Sequence, residues 1–235
     1  MCADRPGAND AACIVDVGRL QLETGLSWLL AEDGLAREET FLVGETSLRY
    51  GIGPRTELRL AITAFGSVDV RGAGSDQGIG DLTLGIRHSL TDPDAPGPAV
   101  AIQGYVTAPT GSSPLTAGEW SFGAALPMSF ELTPSVSFAA TPQIAAAADA
   151  DGDGQHLAFG SSAGFGFSIT DTLSAGVDVA IIRDDDPAGS STQATTGLSF
   201  ALQVSEDIQL DVGAVAGLNR DTPDLELYAG FVTRF

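Results

Sequence analysis

The chain has 235 residues, with 31 acidic side chains against 11 arginines and no lysine, so its net charge is −20. That balance excludes nucleic acid as a partner class. A helical membrane protein is also excluded, because no apolar run approaches the roughly 18 to 20 residues that a spanning helix needs. The hydrophobic residues, 43% of the chain, are instead interleaved with small and polar ones, which indicates β-strands.

A segment rich in Pro, Gly, Asp and Ala, residues 1–18, precedes the first predicted strand. It lacks the charged start and apolar stretch of a signal peptide, so we interpret it as the periplasmic beginning of a mature chain. Cys2 and Cys13 are the only cysteines, and an even pair in an oxidising compartment predicts one disulfide. Acylation of Cys2, as in a lipoprotein, is the alternative, and it would leave Cys13 without a partner.

Alternation of apolar and polar residues predicts about twelve strands across residues 19–235. Strand 1 covers 19–30 and is followed by an acidic loop at 31–38. Strand 2 ends at a tight turn, 51–56, and strand 3 begins at Glu57 and leads to a longer loop at 66–78 before strand 4. The apolar face of these strands includes Leu22, Leu26, Trp28, Leu42, Leu48, Tyr50, Leu58, Leu60, Leu84 and Ile86.

The second half of the chain repeats this pattern. A turn at 91–97 leads to strand 5 at 98–107, strand 6 covers 119–132, and strand 7 ends in a loop at 145–155. Strand 8 has the most regular alternation, and strands 9 to 12 complete the series. On strand 8 the apolar face carries Leu157, Phe159, Phe165 and Phe167, and the opposite face carries Gly160, Ser162, Gly164 and Gly166.

The direction of the apolar face decides between a soluble barrel and a membrane barrel, since both show the same alternation. The opposite face carries many Gly, Ser and Ala residues and few of the charges that solvate a soluble sheet. Outward aromatic residues lie near strand ends, as in the girdles of membrane barrels. These residues are Trp28, Tyr50, Trp120, Phe130, Phe167 and Phe235. The composition therefore favours apolar side chains that face lipid.

We predict an all-β protein, a single antiparallel up-and-down transmembrane β-barrel of about twelve strands. The even strand count, the short turns at one end, the longer loops at the other and the aromatic carboxy-terminus Phe235 are typical of outer-membrane barrels with both termini in the periplasm. Pro127 and Pro142 conflict with this pattern locally, because each removes a donor from the sheet, and they predict a bulge.

Several short motifs resemble a known family. They are residues 4–7 (DRPG), 18–25 (GRLQLETG), 48–51 (LRYG), 57–60 (ELRL), 78–87 (GIGDLTLGIR) and 108–111 (APTG). Across nearly the whole chain the sequence is similar to the outer-membrane transporter family named for the meta-pathway of phenol degradation. The resemblance implies a barrel and transport of small molecules, aromatic or hydrophobic compounds among them. Family members often have Lys-Tyr where this chain has Arg87-His88, so an imidazole replaces an interfacial tyrosine.

Charged residues of both signs are predicted to face the lumen from one contiguous arc of five strands, if strand 12 closes on strand 1. Opposite a wall of Gly, Ala, Ser and Gln, they would create a transverse field that orients dipolar or anionic solutes. A network of ion pairs that only neutralises the lumen is the alternative. The predicted lumen residues are Arg19, Glu23, Glu45, Arg49, Glu57, Arg59, Asp81, Arg87, Glu226 and Arg234.

Other sites have weaker support, and we expect no catalytic residue, cofactor or metal. Residues 149–154 (DADGDG) match the first half of a calcium loop, but its twelfth position is Gly160 instead of Glu. Acidic outer loops indicate solvation, with divalent ions bridging to lipid phosphates as the alternative. An outer-membrane lipid hydrolase would need a Ser/His pair, and only His88 and His156 are present.

The predicted function is passive passage of small molecules through a monomeric barrel in the outer membrane of a Gram-negative bacterium. The expected partners are outer-membrane lipid, a small-molecule solute and the barrel-assembly machinery, which would engage the last strand ending at Phe235. A structural barrel plugged by the N-terminal segment is the main alternative. The sequence leaves the solute and the openness of the lumen undetermined.

Overall fold

The computed structural model describes residues 1–34, 36–92 and 97–235, which form strands and connecting segments. None of these residues belongs to a helix that would be long and apolar enough to cross a membrane. The strands are β1 Leu20–Asp33, β2 Ala36–Gly53, β3 Thr56–Val70, β4 Gly74–Gly78, β5 Leu82–Ser89, β6 Ala99–Ala108, β7 Ser121–Ala125, β8 Met128–Thr133, β9 Val136–Ala148, β10 Gln155–Ser168, β11 Leu173–Asp184, β12 Ser191–Ser205, β13 Ile208–Gly217 and β14 Leu225–Arg234.

The strands form one closed antiparallel barrel. β1 pairs with both β2 and β14, and the circuit is completed by the pairing of β9 with β10. β4 and β5 follow each other along β3 as two parts of one barrel strand, and β7 and β8 do the same between β6 and β9. The described elements therefore make the twelve-stranded barrel that the sequence predicts, and closure leaves no unpaired sheet edge.

Apolar side chains cover the outside of the barrel and charged ones lie inside it. Phe165, Phe167 and Phe231 are 43%, 39% and 39% exposed, whereas Arg49 and Glu57 are fully buried. A soluble barrel would show the reverse arrangement, with its large apolar residues in the core. The face assignment that distinguishes a membrane barrel from a soluble one is confirmed.

The barrel has two different ends. At the end that we call the terminal end, Leu20 exchanges backbone hydrogen bonds with Phe235, and short connections lie at 54–55, 134–135, 169–172 and 206–207. The opposite end, the long-loop end, includes the connections 109–120, 149–154, 185–190 and 218–224. The predicted turn at 91–97 lies partly outside the described residues.

Two predicted loops are wrong because strand pairing continues through them, and a third is shorter than predicted. Within 31–38, Ala31 pairs with Glu38 and Asp33 with Ala36, so β1 and β2 form one long hairpin. Within 66–78, β3 continues and pairs with β4. The loop predicted at 145–155 begins only after β9 ends at Ala148. In the first two segments, the polar composition reflects strands that extend beyond the apolar belt.

The prediction that Leu42 faces outward is also wrong. Gly44 has a φ of +69°, a conformation that favours glycine, and the β1/β2 register shifts between Glu23 and Leu26. Beyond this irregularity, Phe41 and Val43 are exposed, and Leu42 pairs with the fully buried Ser27. The irregularity reverses the alternation in the first part of β2, before Gly44, so Leu42 faces the interior.

Pro127 interrupts a barrel strand but does not produce the predicted bulge. Ala125 pairs with Gln143 and Met128 with Ala140, which is the same register on both sides of the break. The carbonyl of Pro127 accepts a hydrogen bond from the Ala101 N–H, and the carbonyl of Pro142 accepts one from the Leu126 N–H. Proline carbonyls therefore preserve the alignment where proline N–H donors are missing.

Candidate functional site

The N-terminal segment, residues 1–18, runs inside the barrel. It is tied to the interior faces of several strands: the Gly7 N–H donates to Tyr228 Oη, Ser162 Oγ donates to Asn9 Oδ1, and the Val15 N–H donates to Glu57 Oε2. A disulfide joins Cys2 to Cys13 and closes the part of the segment between them. These contacts extend to β3, β10 and β14, so the segment crosses the bore.

Five of the predicted lumen residues form one buried cluster around Asp4 of the segment. We call this set the charged sector. The carboxylate oxygens of Asp4 lie 2.5 Å from the guanidinium group of Arg59, 2.9 Å from that of Arg87 and 3.4 Å from that of Arg49. Arg49 also pairs with two carboxylates, Glu57 at 2.9 Å and Glu23 at 3.0 Å. The charged sector comprises Glu23, Arg49, Glu57, Arg59 and Arg87.

Opposite charges explain how this cluster tolerates burial. Arg49, Glu57 and Arg87 have no exposed side-chain surface, and buried charges are stable only when paired and hydrogen-bonded. Burial raises the pKa of the Asp4 carboxyl, but the guanidinium groups of Arg49, Arg87 and Arg59 outweigh that effect and hold the pKa below its usual range. Asp4 is therefore ionised and acts as the negative centre of three cations.

Arg5 anchors the segment to a second position on the wall. Its guanidinium lies 3.0 Å from Asp211 and 5.5 Å from the centre of the Tyr228 ring. Gly25 and Gly230, paired on β1 and β14, make room for it. A Cβ at Gly230 would lie 2.5 Å from the Arg5 guanidinium, so larger residues at these two positions would displace Arg5.

The other five predicted lumen residues do not join the charged sector. Arg19 and Arg234 lie at the terminal end near Asp207, at 3.7 and 2.8 Å. Glu45 and Glu226 border a cavity beside Arg5. Asp81 accepts hydrogen bonds from the Gly111 N–H, the Thr116 hydroxyl and the Ala117 N–H, so it fastens the 109–120 connection. The role of the whole set in solute selection stays a prediction.

Small side chains form the opposite interior wall, which we call the small-residue sector. Its members belong to β8–β12 and are Ser129, Ser137, Ala139, Gly164, Gly166, Gly176 and Ser199. Together with one face of the N-terminal segment they enclose a cavity of about 270 Å³. Two further cavities, of about 370 and 250 Å³, lie between the segment and inward residues such as Glu45 and Thr63. Open volume therefore remains on more than one side of the segment.

The sequence did not reveal that Asp4 and Asp10 pair with arginines of the charged sector, or that Arg5 pairs with Asp211. Arg87 lies 3.3 Å from Asp10 as well as near Asp4. A sequence signal existed in the 4–7 motif, which carries charges of both signs before the first strand, and in Gly25 and Gly230 on the interior face. Neither signal specifies which strand the segment contacts, because contacts between distant residues depend on closure of the barrel.

The Ser/His pair that the hydrolase alternative requires is not formed among the described residues. His88 Nδ1 is hydrogen-bonded to Thr56 Oγ1 at 2.9 Å, and His156 Nδ1 to Asp149 Oδ1 at 2.8 Å. Ser162, which the sequence places near His156, is bonded to Asn9 instead. In this arrangement neither imidazole is positioned to activate a serine.

Comparisons with known proteins agree with the fold. The model of the family described as "Putative MetA-pathway of phenol degradation" matches residues 3–235. An outer membrane channel from Pseudomonas putida F1 superimposes with a TM-score of 0.77 at 16% identity, covering 98% of this chain and 99% of the other. The CymD monoaromatic hydrocarbon channel gives 0.52 at 11% identity, with 93% and 88% covered. The NanC porin gives 0.57 at 11%, with 91% and 98% covered. No curated protein sequence matches the chain.

Proposed function

Because the chain belongs to the family described as "Putative MetA-pathway of phenol degradation", we propose that it is an outer-membrane channel for passive passage of small molecules. The observation that carries the proposal is the pair of unlike walls inside one closed barrel. The charged sector binds the N-terminal segment through buried ion pairs, and the small-residue sector borders a cavity that the segment does not fill. Solutes pass along that second wall.

The solute class follows from the walls and from the related channels. Two of the similar structures are described as an outer membrane channel and as a monoaromatic hydrocarbon channel. In this chain, Gly, Ala and Ser offer a flat and weakly polar surface to a planar ring, and the carboxylate of Asp178 borders the same cavity. We propose small aromatic compounds of moderate polarity as solutes.

The membrane orientation is part of the same proposal. Short connections, the first residue of β1 and the carboxy-terminus lie at one end of the barrel, which is the periplasmic end in outer-membrane barrels. The acidic connections at 149–154 and 185–190 would then face the outside of a Gram-negative cell. The chain acts as a monomer, and the assembly machinery engages its last strand at Phe235.

A matched pair of substitutions tests the path. Ala139 borders the small-residue cavity, and Ala140 is the next residue of β9 with the opposite orientation. We expect Ala139→Phe to lower single-channel conductance in planar bilayers and benzoate-driven swelling of proteoliposomes, whereas Ala140→Phe leaves both unchanged. If the wild type and both variants form channels with equal conductance and equal swelling rates, the path lies elsewhere.

A barrel closed by its N-terminal segment remains the second candidate, because the segment has ion-pair contacts with both Arg49 and Asp211 across the bore. Wild-type protein that is folded but shows neither channels nor swelling would support this candidate. A double variant, Arg49→Gln with Arg59→Gln, tests the arginines separately. If its channels have the same ion selectivity as the wild type, these arginines have only a structural role.

A further inference from the structure

A buried histidine lies among three carboxylates at the long-loop end, away from the charged sector. His156, near the start of β10, has a side chain that is only 5% exposed. Its Nδ1 atom is 2.8 Å from Asp149 Oδ1 and 3.5 Å from Asp186 Oδ2, and its Nε2 atom is 2.6 Å from Asp184 Oδ1. Residues from β10, the end of β11 and two connections therefore converge on one imidazole.

This cluster is short of positive charge. A protonated imidazole balances one of the three carboxylates, and no arginine is paired with Asp149, Asp184 or Asp186 among the described ion pairs. In addition, the buried Nε2 atom makes no hydrogen bond of normal geometry, although Asp184 lies within reach. A buried polar atom in that condition is costly, and a cation on Nδ1 would hold the ring proton on Nε2, where Asp184 can accept it.

We propose that Asp149, His156 and Asp186 bind a divalent transition-metal cation, with Zn²⁺ as the best fit. Ligands at about 2.0–2.1 Å from a tetrahedral Zn²⁺ are roughly 3.3 Å apart. The separations of 2.8 and 3.5 Å between Nδ1 and the two carboxylate oxygens bracket this value, and all three ligand atoms lie within 4.8 Å of one another. Small side-chain movements would therefore admit the cation.

The fourth residue of the cluster fits the same site. With the metal on Nδ1, the Nε2–H faces Asp184, and a carboxylate in that position orients a metal-bound histidine and increases its basicity. An imidazole ligand argues against Ca²⁺ and Mg²⁺, which take oxygen ligands. The half calcium loop at 149–154 thus contributes Asp149 to a nitrogen-containing site instead of forming a calcium site.

Metal binding would join two connections at the mouth of the barrel. Asp186 already accepts hydrogen bonds from the N–H groups of Ala150 and Ala188, at 2.7 and 2.6 Å, so it contacts both 149–154 and 185–190. Asp184 pairs with Ala158 on the interior face of β10, which places the cluster beside the entrance. This site does not depend on the proposed channel function.

Titration calorimetry of the folded, detergent-solubilised protein with ZnCl₂ tests the proposal, with CaCl₂ as the comparison. We expect saturable binding of one Zn²⁺ per chain, weakened at least tenfold by His156→Asn and by Asp186→Asn, and about 10- to 100-fold by Asp184→Asn. His88→Asn, at an exposed histidine of the terminal end, should bind as the wild type does. Resistance of the folded barrel to SDS at room temperature verifies that each variant is folded.

Two results would overturn the proposal. The first is no saturable Zn²⁺ binding to the folded wild type, which would leave the cluster as a histidine paired with carboxylates. The second is Zn²⁺ binding that His156→Asn does not weaken in a folded protein, which would assign the metal to other residues. Neither result bears on the Ala139→Phe experiment, so the two proposals fail separately.

Discussion

The N-terminal segment meets two unlike surfaces inside the barrel. Toward β1–β5 its Asp4 is held by three arginines at 2.5 to 3.4 Å, whereas toward β10 it has the hydrogen bond from Ser162 to Asn9. Buried ion pairs fix position because breaking one leaves an unpaired charge. Small uncharged side chains form few strong contacts with the segment, and they leave a cavity beside it. We therefore propose that charge determines where the segment lies and that side-chain size determines where solutes pass.

The largest expected effect comes from breaking the charged sector at its centre. Arg49→Met leaves the buried Glu23 and Glu57 without their main partner, which should lower the free energy of unfolding by about 3–5 kcal/mol. Urea unfolding of the protein in lipid vesicles measures this change. Arg19→Met is the control, because Arg19 is exposed and 3.7 Å from Asp207, and exposed pairs contribute roughly 0–1 kcal/mol. Equal losses would contradict a special role for burial.

The disulfide should stabilise the bound segment by fixing its shape before it binds to the wall. Cys2 and Cys13 are separated by 11 positions, and removal of a bridge of that span costs about 2–3 kcal/mol in the chain-entropy model. We expect the Cys2→Ser, Cys13→Ser variant to show larger conductance fluctuations in bilayers. Reduction of the wild type should reproduce them. Identical traces before and after reduction would show that Asp4 and Arg5 suffice to hold the segment.

Neutralising Asp4 tests the ion pairs of the segment itself. Asp4→Asn keeps the shape of the side chain but removes the charge that three guanidinium groups share. The free energy that holds the segment on the wall should therefore weaken by about 1.5–3 kcal/mol. Limited proteolysis should then cleave the segment faster than in the wild type. Asp16→Asn is the control, because Asp16 makes one exposed pair with Arg234. If both variants are cleaved at the wild-type rate, the segment is held by other contacts.

The smallest effect is expected at Tyr228, which joins the segment to β14 by a single neutral hydrogen bond. Tyr228→Phe removes the acceptor of the Gly7 N–H but keeps the ring beneath Arg5. The free energy that holds the segment on the wall should weaken by about 0.5–1.5 kcal/mol. Limited proteolysis of the segment should then be only modestly faster than in the wild type. A loss as large as that of Asp4→Asn would contradict the ranking of charge above neutral hydrogen bonds.

The barrel was predictable because its signal is repeated along the chain. Each strand alternates independently, so Phe165, Phe167 and Phe231 all indicate the same outward face. The fate of Leu42 was not predictable, because one glycine with a positive φ reverses the alternation without changing composition. Likewise, Arg49 and Arg87 could be assigned to the interior from their strands, but their partner Asp4 could not. These contacts join residues that are 45 and 83 positions apart in the chain, and no periodicity indicates them.

A variant that lacks residues 2–14 shows directly whether the segment narrows the bore, because these residues include Asp4, Arg5 and Asp10. We expect the folded variant to form channels of clearly larger conductance than the wild type in planar bilayers, because the bore is wider and Glu23 and Glu57 stay paired with Arg49 and Arg87. Unchanged conductance of the folded variant would show that the segment does not limit the passage.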